Sequence, residues 1–356
     1  MPHALTRRDL LKTSAAGAFA PAAFAWGTGP TRAAEPETRF VDGEPPAIAE
    51  GSYTIAVLPD TQMYCQAHPE GFQTQTEWIA KNRDARNVTC VLHLGDITNR
   101  NTPEQWEVAA AAMQTLDGVV PYVLVPGNHD YSEGGRATDR TTRLNEYFPV
   151  ERFRDRPTFG GTYDKEPDRM ENSFHLFEGG NQKFLVLGLE FGPRKDVIRW
   201  ANEVVAAHAD LPAILITHAY MYFDETRYDW AKYGPKQSWN PHSYGVAAAT
   251  GGDVADGQEL WDGLVRKHGN FVLTLNGHVL NDGLARLTSR DDAGRDVHQT
   301  LVNFQMKPNG GDGWLRLIEC RPDGTTAVIH DYSPALNQWN ASAQNRFDLR
   351  LAPVAA

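Results

Sequence analysis

The pattern of apolar and polar residues becomes regular at Tyr53. Tyr53–Leu58 alternates and is rich in β-formers, which predicts a strand. Residues 72–86 read as a helix with Trp78 and Ile79 turned inward. Residues 88–94 are a continuous apolar run, as expected for a strand covered on both faces. Pro103 opens a second helix, to residue 116, with proline in the first turn, where no N–H is needed. Residues 122–125 predict a third strand. Strand, helix, strand, helix, strand indicates parallel βαβ units and an α/β fold.

Further strands are predicted at 173–177, 183–189, Ala213–Thr217 and Phe271–Asn276, with helices at 195–208 and 258–267. Beyond Gly283 short strands alternate with Gly-rich turns, at 284–288, 297–304, 314–319 and 325–330. That change of rhythm predicts a second, more antiparallel sheet. The pattern bounds one domain at 51–333, a linker at 26–50 and a C-terminal tail at 334–356.

The N-terminus obeys different rules. Thr6-Arg7-Arg8-Asp9-Leu10-Leu11-Lys12 precedes an Ala-rich apolar run, and Ala23-Phe24-Ala25 offers a small-x-small cleavage site. A basic start, a short apolar run and that site predict a signal peptide over 1–25. The paired arginines resemble a twin-arginine export signal, which implies the twin-arginine export machinery as a partner and a periplasmic or extracellular destination. The apolar run is too short to span a bilayer stably.

Composition narrows the classes. The 356 residues are 41% hydrophobic and 22% charged, which excludes a disordered chain or a coiled coil. A net charge of −11 argues against a nucleic-acid polymer or an anionic membrane as partner, since neither binds without a basic face. It leaves room for a small phosphorylated substrate neutralised locally by a cation. Three cysteines, Cys65, Cys90 and Cys320, make no disulfide framework, and spacing leaves a Cys65–Cys320 pair open.

The candidate chemistry sits just past the predicted strand ends. Pro59-Asp60-Thr61-Gln62 comes after the first strand, Gly95-Asp96-Ile97-Thr98-Asn99 after the second, and Pro126-Gly127-Asn128-His129-Asp130 after the third. His218 comes directly after Ala213–Thr217, and Gly277-His278 after Phe271–Asn276. Carboxyl ends of parallel strands share an edge, so these loops converge. Oxygen donors mixed with imidazoles suit divalent ions such as Zn, Mn or Fe.

This order of motifs resembles the calcineurin-like metallophosphoesterase family, over roughly residues 53–278. The resemblance implies a sandwich of two mixed β-sheets flanked by helices, with a site for one or two divalent metal ions. Carried over, Asp96 bridges two ions. Asn128, His218 and His278 complete one site, and Asp60 binds the other ion. His129 assists the leaving group, oriented by Asp130, while Asn128 donates to the phosphoryl group. The implied reaction is hydrolysis of phosphate mono- or diesters by a metal-activated hydroxide. Two positions depart from the family pattern: Gln62 and Leu280 stand where it has histidines. Leucine cannot ligate, and glutamine offers a neutral amide oxygen. Asn99 takes the place of a metal-binding tyrosine found in one branch of the family. The first site is therefore either an oxygen-ligated site for a harder ion (Mn, Mg or Ca) or empty. A same-fold binding protein, and a hydrolase of non-phosphate esters, remain as alternatives.

Residues 219–256 form an insertion after His218. Eight aromatic side chains fall between Tyr220 and Tyr244. This segment is either a self-packed loop or a wall for an organic substrate, with Tyr220, Arg227, Trp230 and Trp239 as candidate contacts. His93, inside the second strand, is read as a core or supporting histidine.

Overall fold

A computed structural model describes residues 39–180 and 182–354. The expected signal peptide lies outside the described residues, as does the first part of the expected linker. Fifteen strands are described: β1 (Phe40–Asp42), β2 (Tyr53–Leu58), β3 (Val88–His93), β4 (Tyr122–Leu124), β5 (Phe159–Thr162), β6 (Ser173–Gly179), β7 (Gln182–Leu189), β8 (Ala213–Thr217), β9 (Phe271–Asn276), β10 (Leu284–Arg290), β11 (Asp296–Val302), β12 (Leu315–Cys320), β13 (Thr326–Ser333), β14 (Gln338–Asn340) and β15 (Arg346–Arg350).

They form two mixed sheets. The first has the order β1-β14-β13-β12-β2-β3-β4, and β15 shares the β14 edge of β13. The second has the order β10-β11-β9-β8-β7-β6-β5. In the first, β2, β3 and β4 are parallel. In the second, β7, β8, β9 and β11 are parallel.

Alternation along each strand explains the layers. Ile55, Val57, Cys90 and Leu92 face the second sheet, meeting Val186, Ile214, Ile216 and Leu275 in one core. Ala56, Leu58 and Val91 face outward under helices Pro69–Lys81 and Pro103–Gln114. Leu185, Leu187 and Leu215 do the same under helix Lys195–Ala207. Both faces are covered, which is why these strands read as predominantly apolar runs.

Three expectations change. The strands beyond Gly283 do not build a sheet of their own. β10 and β11 extend the second sheet, while β12 pairs antiparallel with β2 and brings β13, β14 and β15 into the first. Without β12, the β2 side of the parallel trio would be an open edge of unpaired backbone groups. Second, Phe40–Asp42, inside the segment expected to be a linker, pairs with Gln338–Asn340, inside the expected tail. Third, a short helix, Gln62–Ala67, precedes Pro69–Lys81, which starts at its proline rather than at residue 72. The cysteines are free and buried. Cys65 and Cys320 belong to cores on opposite faces of the first sheet, so they do not pair.

Candidate metal centre

The carboxyl ends of β2, β3 and β4 meet those of β8 and β9 at one rim. Glycine permits that approach at two points. A Cβ on Gly127 would lie 2.2 Å from the Asp96 backbone nitrogen, and one on Gly277 would lie 1.9 Å from Asp60 Oδ1. Any larger residue would push the loops apart.

Asp96, His218 and His278 form the centre. Asp96 Oδ1, His218 and His278 each present one ligand atom, all within 4.8 Å of one another, and all three residues are buried. His218 Nδ1 donates to the Leu94 carbonyl at 2.8 Å, which leaves Nε2 aimed at Asp96 Oδ1, 3.1 Å away. His278 Nε2 donates to the Trp239 carbonyl at 2.8 Å, leaving Nδ1 facing His218 Nε2 at 3.1 Å. Each imidazole is thus fixed in tautomer by a backbone carbonyl, as ligating histidines commonly are. Asp96 Oδ1 also accepts the His129 N–H at 2.9 Å.

The electrostatics describe a site short of positive charge. Burial opposes ionisation of Asp96, but His218 and His129 outweigh it and hold the carboxyl below its usual range. Burial depresses His218, yet Asp96 wins and raises it to about 9. Burial and the His218 charge push His278 down to about 3. Burial raises Asp60 to about 8, with Asp96 adding to the rise and His218 opposing it. Two carboxylates out of water call for a cation.

Two further atoms fit one. Asn128 Oδ1 and Gln62 Oε1 are buried without a hydrogen-bond partner. Buried amide oxygens are rarely left so. Oxygen and imidazole donors converging in this way fit a divalent ion. Gln62 Nε2 donates to Gln305 Oε1, so its free oxygen is turned away from that partner. Asp60 stays outside the three-atom cluster. Its carboxylate accepts the His278 N–H and the Asn303 side-chain amide.

The remaining expected residues divide. His129 Nδ1 donates to the Asn99 carbonyl at 2.9 Å, so Nε2 is available for chemistry. Asp130 does not orient that ring. Its carboxylate accepts from the N–H groups of Ile97, Thr98 and Gly127 and from the Thr98 hydroxyl, clamping two ligand loops together. An unsatisfied loop backbone is the stronger claim on a buried carboxylate. The Asn99 side chain bonds Gln66, so Asn99 acts here through its carbonyl. His93 is a supporting residue: burial lowers it to about 3, Nδ1 accepts the Gly95 N–H, and Nε2 meets Thr61 Oγ1 at 2.9 Å.

Of the four aromatic-segment candidates, three are engaged elsewhere. Tyr220 is fully buried in the core under the second sheet. Arg227 stacks on Trp261 at 4.2 Å and donates to Ser289 Oγ at 2.9 Å. Trp230 stacks on His242, whose Nε2 contacts Glu259. Trp239 stays 40% exposed while its carbonyl holds His278, so it remains at the centre's mouth. His242, Asp256 and Glu259 form a second acidic and imidazole group, but Asp256 is occupied as the cap of helix Gly257–Gly263.

Sequence reading missed Asn303 and Gln305, which bond the Asp60 and Gln62 side chains. Asn303 and Gln305 lie just past β11, which runs parallel to β9 and so ends at the same rim. Taking that strand on to residue 304 hid Asn303 inside it and left Gln305 without a strand-end motif.

Residues 53–282 match the family model described as Calcineurin-like phosphoesterase. An uncharacterised Bacillus subtilis (strain 168) protein, YvnB, is 28% identical over 306 residues, which is 84% of this chain. This chain spans about a fifth of that relative's length (21%). Among solved structures, a purple acid phosphatase from yellow lupin seeds is 14% identical, with TM-score 0.46, over 85% of this chain and 55% of that one. An NAD nucleotidase from Haemophilus influenzae is 12% identical, with TM-score 0.42, over 84% and 50%.

Proposed function

Because this chain belongs to the calcineurin-like phosphoesterase family, we propose that it hydrolyses phosphate mono- or diesters of small organic molecules at the Asp96, His218 and His278 centre. The observation that carries the reading is the three ligand atoms within 4.8 Å, completed by the partnerless Asn128 Oδ1. Asp96, Asn128, His218 and His278 would hold one divalent ion, and Asp60 with Gln62 would border a second. A bound divalent ion supplies charge neutralisation at the phosphoryl oxygens and a more acidic water.

The chain's own residues do the rest. The Asn128 amide nitrogen donates to a non-bridging phosphoryl oxygen, where charge accumulates. As imidazolium, His129 gives its Nε2 proton to the leaving oxygen as that oxygen's bond to phosphorus breaks, and the ring is left neutral with its Nδ1–H still on the Asn99 carbonyl. Such proton transfer contributes ~10²–10⁴-fold. The Asp130 clamp holds the loops that carry Asp96 and His129. Trp239 supports an organic group on the substrate by its place at the mouth.

We also read the protein as exported, on the strength of Arg7, Arg8 and the apolar run to Ala25. Among the described residues, no helix is long and apolar enough to cross a membrane.

The test is metal content per chain by elemental mass spectrometry, paired with bis-p-nitrophenyl phosphate turnover on the same sample. Bound metal with turnover supports the reading. Asp96→Asn should lose the metal, and His129→Ala should keep it while slowing turnover. Gln62 and Leu280 favour one second reading, a same-fold binding protein. Metal without turnover on phosphate, phosphonate, sulfate or carboxylate esters would select it.

A further inference from the structure

The insertion that follows His218 returns to the centre at Trp239, whose backbone carbonyl accepts from His278 Nε2 at 2.8 Å. Trp239 has φ 65°, in the left-handed region that a bulky residue rarely enters. Such a conformation persists only where its surroundings over-determine it. The indole does not supply that constraint, since the residue is 40% exposed.

The constraint comes from the residues on either side. Gln237 is buried, and its side chain accepts the Asp229 N–H at 2.7 Å while donating to the Arg227 carbonyl at 2.9 Å and to Thr226 Oγ1 at 3.0 Å. The hydroxyl of buried Tyr228 donates to the Ser238 carbonyl at 3.0 Å. Asn240 is buried as well. Its amide nitrogen donates to Asp256 Oδ2 at 3.2 Å, and its oxygen accepts the His242 N–H at 3.0 Å. Asp256 is itself fixed as the cap of helix Gly257–Gly263. Residue 239 is therefore suspended between two anchored side chains, and its carbonyl has one direction to point.

That direction matters to a ligand. With Nε2–H held by the carbonyl, His278 presents Nδ1 as its lone pair, and Nδ1 faces His218 Nε2 at 3.1 Å. A displaced carbonyl would leave Nε2–H as a buried donor without a partner, and the ring would turn or change tautomer to recover one.

We propose that Gln237 and Asn240 are positioning residues of the metal centre: they set the Trp239 carbonyl and, through it, the His278 ring. The insertion is then a working part of the centre and not only a wall beside it. This rests on the metal-dependent phosphoesterase reading above.

The test measures Mn²⁺ affinity of the full chain by calorimetry, with thermal melting of the metal-free chain as control and bis-p-nitrophenyl phosphate turnover alongside. At a temperature where the metal-free chain is folded, Gln237→Ala and Asn240→Ala should each bind Mn²⁺ at least about tenfold more weakly. Should these variants fail to fold, a pair at position 239 decides. Trp239→Gly and Trp239→Pro both remove the indole and keep the carbonyl, but glycine enters the left-handed region freely, whereas proline is locked near φ of about −65°. Trp239→Pro should therefore bind Mn²⁺ at least about tenfold more weakly than Trp239→Gly. Equal affinity within that pair, or wild-type affinity in folded Gln237→Ala and Asn240→Ala, would overturn the positioning role, as would a wild type that binds no Mn²⁺. If wild type holds Mn²⁺ without turnover and the variants lose the ion, the positioning stands and the hydrolytic reading fails. If wild type turns over and the variants keep the ion, the hydrolytic reading stands and the positioning fails.

Discussion

The carboxylate of Asp60 accepts the backbone N–H of His278 at 3.0 Å, joining the end of β2 to the end of β9 across 218 residues of chain. His278 has φ 74°, a conformation that residues other than glycine rarely adopt. Asp60, itself held by Asn303 at 2.9 Å, is what stabilises that conformation. Asp60→Ala is therefore expected to weaken metal retention at least about tenfold, through a misplaced His278. Elemental analysis after dialysis checks it. Full retention would remove Asp60 both as a ligand and as a positioning residue.

Asp130 makes a prediction that separates two roles. Its four hydrogen bonds tie the loop after β3 to the loop after β4. Asp130→Ala leaves buried N–H groups unpaired and should destabilise the fold by about 2–4 kcal/mol. Urea unfolding measures it. A residue that merely oriented His129 would instead lower turnover at unchanged stability.

Gln62 tests the departure from the family pattern. Its buried Oε1 lacks a partner, and its amide nitrogen is committed to Gln305. An imidazole there suits zinc better than an amide oxygen does. Gln62→His should raise retention of a second Zn²⁺ at least about tenfold. A flat second-site affinity would mean that position 62 does not face the ions.

Stability should fall in acid for a reason remote from the centre. His175 is buried among Phe153, Phe159 and Phe177, and burial, aided by Arg156, lowers it to about 3. In the unfolded chain it titrates near about 6.5. Between those values the unfolded state holds the extra proton, so stability is full above about 6.5 and is lost as pH falls toward about 3. Each such group contributes a slope of up to about 1.4 kcal/mol per pH unit. His175→Gln should flatten the decline between about pH 6 and pH 4, measured by denaturant unfolding. An unchanged slope would show that His175 is not a source of it.

Export has its own test. Replacing Arg7 and Arg8 together by lysine should leave the protein in the cytoplasm of a host with a twin-arginine system. Cell fractionation reads the result, and normal export of the double variant would discard that route.

Much of the fold and centre was legible because each signal was local. Predominantly apolar runs at β3, β7 and β8 marked strands covered on both faces. Polar residues just past strand ends marked the rim, and Asp96, His218 and His278 were found that way. What escaped depended on distant partners. Asp130 is adjacent to His129 in sequence, yet its partners lie more than thirty residues upstream as well as at Gly127. Arg227 looked like a phosphate ligand until Trp261 and Ser289 took its guanidinium.

The sequence alone determined the alternating elements, the family resemblance and the identity of the donor groups, since those depend on periodicity and side-chain chemistry over short spans. The tertiary structure decided which donors share one volume and which way each imidazole presents its lone pair. It also decided that β12 closes the open side of β2, and that Asp60 at the end of β2 holds the backbone N–H of His278. Those outcomes depend on loop closure and on competition for buried hydrogen bonds. Both are set by residues far apart in the chain, so no local pattern encodes them.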